Sequence, residues 1–415
     1  MHSQTIDVTV ARGLHVWLLI GSGVVAAAQI GKAIISLPMI RIDMAFGLGH
    51  AGLLVATFAT LGASFGIGAG AMVQRLGARW SLIGGMGCIA IGNAIGAAAP
   101  NEFVLLVARV VEGIGFFGTV LAIPTMLSRI VARKDRDFVM AVWSAYMPTG
   151  IMLMLLIGPL VPIIGWRNLW LASAVLASGY GLLLMIYAPR SEEREREREY
   201  QFFAEAYRVV RDPRCFLLAF AFFAYSWQMF SMAFALPLLL TSAHGTTLGS
   251  AGLLSAGVLA VSAIGHVLSG FMLRAGVPVW ANIVAAFGFF AISNFAIYAG
   301  VLSPPAVAVV AALALGIGGF APGALYAAAP QVAPNPRAVP LTVGLLQQAS
   351  NLGQFAGPIT LGLWAEHFGW SAAPTIVTAA AVAGLAAAFA IRSAMHRSRG
   401  SISRQKNVAE IMESK

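Results

Sequence analysis

Residues 105–115 read LLVARVVEGIG. Arg109 and Glu112 carry opposite charges three positions apart, inside a run that is otherwise apolar over 103–128. Side chains at i and i+3 share one face of a helix and can pair there, which lowers the cost of burying either charge. The stretch therefore reads as a membrane helix carrying its own ion pair, and its surroundings agree. The 415-residue chain is 59% hydrophobic and 10% charged, with a mean hydropathy of +0.82, far above that of a soluble protein. Apolar runs long enough to cross about 30 Å of hydrocarbon as helix fall at 14–38, 51–71, 82–98, 103–128, 139–163, 168–188, 215–240, 250–272, 279–300, 305–333, 340–364 and 372–394. Period-2 alternation bounded by turns is absent, so these twelve spans are expected to be helices that satisfy their own backbone hydrogen bonds, not barrel strands. The 45 glycines suit close helix packing.

The net charge of +10 reflects sidedness, not nucleic-acid binding. Lys32 and Arg109 fall inside spans, and Arg41 and Arg167 fall in loops opposite the N-terminus; the other twenty-two of the 26 Lys and Arg lie on the N-terminal side. Excess Lys and Arg marks the cytoplasmic face. Both termini are therefore expected in the cytoplasm, with the chain integral to a plasma membrane, the inner membrane of a bacterium. Arg12, the apolar run from Leu14 and AAAQ at 26–29 imitate a cleavable signal peptide, and Cys88 and Cys215 indicate no disulfide framework.

The chain repeats itself at an offset of about 200 residues. LP at 37–38 recurs at 236–237, AGLL at 51–54 recurs at 251–254, and Gly70 before MVQRLG matches Gly270 before MLRAG. GIGFF at 113–117 answers GIGGF at 316–320, GP at 158–159 answers GP at 357–358, and GW at 165–166 answers GW at 369–370. Six landmarks in order imply duplication, and they argue against cleavage of the first span, whose partner is the seventh. The chain divides into six-helix bundles at 1–189 and 214–395, a cytoplasmic linker at 190–213 and a cytoplasmic tail at 396–415, expected to lack order. The alternating charges of SEEREREREY at 191–200 suit either a helical linker on the membrane surface or a solvated tether.

Two parallel six-helix halves with both termini inside resemble the major facilitator superfamily, which implies an all-α fold of two pseudo-symmetric bundles with substrate at the midplane between them. GAMVQRLGAR at 70–79 is similar to the family's loop motif after the second helix, with Gly70, Arg75, Gly77 and Arg79 in place. The resemblance assigns these residues to gating. Gln74 departs from the aspartate that ordinarily helps hold the cytoplasmic side shut. LLVARVVEGIG is similar to the family's fourth-helix motif, and GPLVPIIGWR at 158–167 lacks the additional glycines typical of proton-coupled exporters. Gly113, Gly115 and Gly118 spell a dinucleotide fingerprint, but lie mid-helix, where no strand turns into a helix to meet a phosphate.

Ionisable residues at membrane depth are functional candidates by default. Lys32 either snorkels to the outer headgroups or faces the interior. Gln29, one turn earlier, and Ser36 share its stripe, and Gln29 maps onto Gln228 of the seventh span at an offset of 199. This pairing favours a cavity-facing Lys32. Glu112 is the deep carboxylate, a candidate either for proton coupling or for a structural pair with Arg109. Tyr146, Tyr225, Gln228, Tyr326, Gln347, Asn351 and Gln354 suit a polar cavity wall or interhelical hydrogen bonds. His266 reads as a packing histidine.

Two deep cations against one carboxylate favour an anionic substrate. MAVWSAYMPTG at 140–150, followed by GWR, resembles the cyanate-permease branch of the family, and Lys32 within GKAIIS resembles monocarboxylate transporters. The leading expectation is proton-coupled uptake of a small organic carboxylate, bound by Lys32, Gln29, Arg109 and the polar wall, by a monomer. Efflux of amphipathic compounds through a pocket drawn from 16 methionines and 24 phenylalanines is the alternative, and a non-transporting receptor or scaffold is the third reading. No metal-ligand spacing and no nucleophile–base pair appear, so neither cofactor nor metal nor enzymatic chemistry is expected.

Overall fold

Backbone crossing hydrocarbon must satisfy its own hydrogen bonds, and each of the twelve apolar runs is mostly helical over its described residues. The computed structural model describes residues 2–66, 76–132, 139, 142–143, 145–188, 202–335 and 338–413. The first half contains α1 (His2–Met44), α2 (Leu48–Phe65), α3 (Ala78–Ala97), α4 (Glu102–Ile130), α5 (Tyr146–Ile164) and α6 (Trp166–Tyr187). The second contains α7 (Pro213–Ser242), α8 (Leu248–Arg274), α9 (Val279–Tyr298), α10 (Pro304–Val332), α11 (Val339–Phe368) and α12 (Ala373–Glu413). Eleven of these are long and apolar enough to span a membrane. The exception, α11, has its apolar surface diluted by Gln347, Gln348, Asn351 and Gln354.

A short helix, Phe202–Arg211, leads into α7, whose first turn is capped by Asp212 accepting the Arg214 N–H at 2.8 Å. The charge-alternating stretch 191–200 lies outside the described residues. The tail differs from expectation: α12 continues as helix to Glu413, no proline after Pro374 being present to break its hydrogen-bond ladder.

The two halves use their helices in the same way. α1 packs on α5 and α3 on α4 and α6, as α7 packs on α11 and α9 on α10 and α12. Gly165 and Gly369, the GW glycines, take the same left-handed backbone, with φ of 79° and 77°, where α5 turns into α6 and α11 into α12. Large apolar side chains such as Ile163, Val175, Ile186, Ile292 and Val309 are exposed, forming the lipid-facing surface.

Two seams join the halves, α2 against α11 and α5 against α8, and the repeated landmarks meet in them. Each AGLL glycine faces the other half's Gly-Pro. A Cβ on Gly52 would strike the Pro358 carbonyl, and one on Gly252 would come within 2.8 Å of the Leu155 carbonyl and 3.1 Å of Gly158 Cα. Backbone approaches this close admit only glycine. Both contacts lie towards the side opposite the N-terminus, and there the halves are closed on each other.

Candidate functional site

α1, α3, α4 and α6 converge inside the first half, and small residues on α3 make the room. In GNAIG at 92–96, a Cβ on Gly92 would meet Glu112 Cγ at 2.7 Å, and one on Gly96 would strike the Trp170 ring. Glu112 and Trp170 therefore press against α3 on either side of Asn93. Gly113 and Gly115 of α4 serve the same end, packing against the backbone of Phe58 and Gly85. The glycines of the false fingerprint are thus helix-packing positions.

Lys32, Arg109 and Asn93 are fully buried, and Glu112 and Gln29 nearly so. The Lys32 ammonium donates to Glu112 Oε1 at 3.0 Å and to Asn93 Oδ1, and lies 3.7 Å from the Trp170 ring centroid. Asn93 Nδ2 in turn donates to Gln29 Oε1 at 2.9 Å and to the Ile89 carbonyl at 2.8 Å. Arg109 Nη1 donates to Glu112 Oε2 and to the Gln29 carbonyl at 3.1 Å, and its Nε donates to the Leu54 carbonyl at 3.2 Å. Glu112 thus bridges two cations from two helices. Arg109 Nη2 is buried without a hydrogen-bond partner. Phe58 lies beside the guanidinium, 5.8 Å from Cζ, and itself touches Phe116 and, across the interface, Phe230 of α7.

This arrangement corrects two placements. Lys32 was expected to face the central cavity; its ammonium instead points into its own half, enclosed by α3, α4 and α6, and it does not reach the headgroups. Gln29 and Gln228 were expected to line the cavity wall as a pair. Each turns into its own half, Gln29 towards Asn93 and Gln228 to the Val377 carbonyl of α12 at 2.9 Å. The physical reason is common to all three. A buried polar group is costly unless hydrogen-bonded, and partners were available within the bundle. Asn93 and Trp170 were not foreseen. Both are neutral, and the signal that could have found them is the glycine spacing around Asn93.

The second half brings together a different set. Tyr225 Oη lies 3.2 Å from His266 Nε2, and Tyr326 donates to Gln347 Oε1 at 2.5 Å. Phe222 packs edge-on against Tyr326. In the first half, Tyr146 stacks on Trp143 with centroids 4.2 Å apart. Asn351 donates to the Gln347 carbonyl and abuts Gly62 in the α2 seam, whereas Gln354 bonds Ser350, which meets Ser226 of α7. Of the loop motif, Gly77 adopts φ 83° before α3 and Arg79 donates to the Met185 carbonyl at 2.6 Å. Gly70, Gln74 and Arg75 lie outside the described residues.

Two six-helix halves meeting along glycine seams, with a charged centre buried in one of them, define a membrane transporter of the two-bundle class. The model of the Major Facilitator Superfamily matches residues 19–333, and the chain belongs to that family. A multidrug transporter of the superfamily from Aspergillus fumigatus, mfsC, is 25% identical over 169 residues, 40% of this chain and 33% of that protein. The MFS-type transporter EfpA of Mycobacterium tuberculosis, described as uncharacterized, is 25% identical over 207 residues, 49% of this chain and 37% of that one. The matched stretches are thus under half the length of these relatives. Crystal structures of a bacterial homolog to the human lysosomal transporter Spinster share the fold. The inward-facing unoccupied form has a TM-score of 0.69 at 18% identity, covering 92% of this chain and 94% of that one. The occupied form gives 0.69 at 17%, covering 93% and 97%.

Proposed function

We infer that this major facilitator is a proton-coupled transporter of a small organic anion, a carboxylate, that works by alternating access in the inward direction. The observation that carries the reading is the sharing of one carboxylate, Glu112, by two buried cations, with one Arg109 nitrogen left without an acceptor. Such a centre has one positive charge in excess when all three groups are ionised, and an unsatisfied buried guanidinium calls for an acceptor. An anion approaching past Phe58 would supply one. Arg109 turning towards it would weaken its hold on Glu112, allowing the carboxylate to take up a proton, and the two events would be linked through one free energy.

The test is a panel of radiolabelled mono- and dicarboxylates offered to purified protein in liposomes under an imposed pH gradient. Accumulation of a carboxylate that needs the gradient is expected. Glu112→Gln should keep counterflow of that solute while losing gradient-driven accumulation. Equal accumulation by the variant assigns Glu112 to structure alone.

A second reading, efflux of amphipathic compounds, is favoured by the aromatic lining at the interface, Phe58, Phe116, Phe222, Phe230 and Tyr326, and by the multidrug description of the Aspergillus relative. Outward flux of a hydrophobic dye, with no carboxylate uptake, would select it.

A further inference from the structure

The Lys32 ammonium has three neighbours, and only one of them is charged. Glu112 Oε1 lies at 3.0 Å, Asn93 supplies its amide oxygen, and the Trp170 ring covers the remaining side at 3.7 Å. The orientation of Asn93 is fixed by its other end. Its Nδ2 donates to both Gln29 Oε1 and the Ile89 carbonyl, so Oδ1 is the atom that must face the ammonium. Trp170 is fully buried, its Nε1 has no partner, and its ring sits where Gly96 leaves room. A buried indole without a hydrogen bond is unfavourable, so hydrogen bonding does not account for its placement. Its position over the cation does.

We propose that Asn93 and Trp170 are positioning residues of the coupling centre: together they cage the Lys32 ammonium beside Glu112 and so set the proton affinity of that carboxylate. The inference rests on the coupling role given to Glu112 above. The chemistry follows from the neutrality of both partners. When a proton adds to a Glu112 oxygen, the ammonium loses its counter-charge, and an ammonium held by Glu112 alone would leave or shed its own proton. An amide oxygen and a π face do not titrate, so the cage retains Lys32 through the protonated state and the carboxylate recovers the same neighbour on deprotonation. Among the described residues, the charged groups facing this centre are Lys32, Glu112 and Arg109; α3 contributes Asn93 and α6 contributes Trp170, neither of them ionisable.

The test needs no substrate. Infrared difference spectra of the full-length protein in lipid are recorded across a pH titration, and the protonated-carboxyl band that is lost in Glu112→Gln isolates Glu112. Removing a cage wall loosens the ammonium, and an opposite charge at hydrogen-bond distance moves a carboxylate by about one to three units. Asn93→Leu and Trp170→Leu should therefore raise the Glu112 midpoint by about one pH unit. Trp170→Phe, which keeps a weaker π face, should fall between Trp170→Leu and the parent. Asn93→Asp, which draws the ammonium to a second carboxylate, should raise the midpoint further and serves if the leucine variant does not fold. Variants that melt earlier but titrate Glu112 at the parental midpoint overturn the cage and leave the coupling role standing. A parent protein in which the Glu112 band never titrates removes the coupling role itself, and the cage with it.

Discussion

Glu366, near the C-terminal end of α11, accepts the backbone N–H of Gly49, in the first turn of α2, at 2.6 Å. The bond joins the two halves. A carboxylate at the start of a helix is favourable both for the free N–H groups and for the dipole. The related seam between α5 and α8 has Pro162 near the corresponding position of the repeat, and among the described residues this latch is seen in one seam alone. Between α2 and α3 the sequence has Gln74 where the family usually has an aspartate.

Glu366→Gln should therefore loosen the side opposite the N-terminus. The carboxylate is exposed, and such contacts are worth about 0.3–1 kcal/mol, so the effect is roughly two- to fivefold. It can be read as the rate at which an impermeant maleimide added on the side opposite the N-terminus labels Ala51→Cys, buried in the parent, in a background lacking Cys88 and Cys215. An unchanged rate would show that the latch contributes nothing to closure.

Filling the seam should act more strongly. Gly252→Val places a branched side chain where even a Cβ would lie 2.8 Å from the Leu155 carbonyl. Closure on the side opposite the N-terminus should fail, and the same labelling assay should show Ala51→Cys open most of the time while transport falls. Normal labelling with normal transport would mean that the seam yields by shifting backbone.

Truncating one member of the buried centre should cost stability, because an unpaired charge is left behind. Breaking a buried pair typically costs about 3–5 kcal/mol. Lys32→Met should lower the melting temperature in detergent, and Lys32→Met combined with Glu112→Gln should recover part of the loss. Additive effects would mean that the two side chains do not interact.

Tyr326 and Gln347 face each other at the interface, and removing their bond should affect solute binding without affecting coupling. Tyr326→Phe is expected to raise the KM of whichever carboxylate the panel reveals by about fivefold, the equivalent of a net hydrogen bond of about 1 kcal/mol, with its pH dependence unmoved. A shifted pH profile would place Tyr326 in the proton path.

Helix number and duplication were legible because each depends on composition along the chain, and hydrocarbon leaves a helix as the outcome. Lys32, Arg109 and Glu112 were legible for a related reason: a charge at depth is conspicuous. The Arg109–Glu112 pair was legible too, from its i, i+3 spacing; the contact of Lys32 with Glu112 was not. Which way Lys32 turns depends on where Asn93 sits on α3, and no pattern within α1 encodes that. Gln29 and Gln228 misled because the repeat reveals equivalence without direction, and both face inward to their own half. Trp170 went unnoticed as one tryptophan among 9, in a span where an aromatic ring ordinarily means packing.

With all three groups ionised, the Lys32–Arg109–Glu112 centre has one positive charge in excess, and all of it lies within a single half. If the halves rock against each other, that charge is carried with its half through the transmembrane electric field, and a proton arriving on Glu112 doubles it. Moving one elementary charge through the full field is worth about 2.3 kcal/mol per 100 mV, and a fraction of that suffices to bias which side is open. On the mechanism proposed above, the membrane voltage would then act on the conformation directly, before any solute is bound.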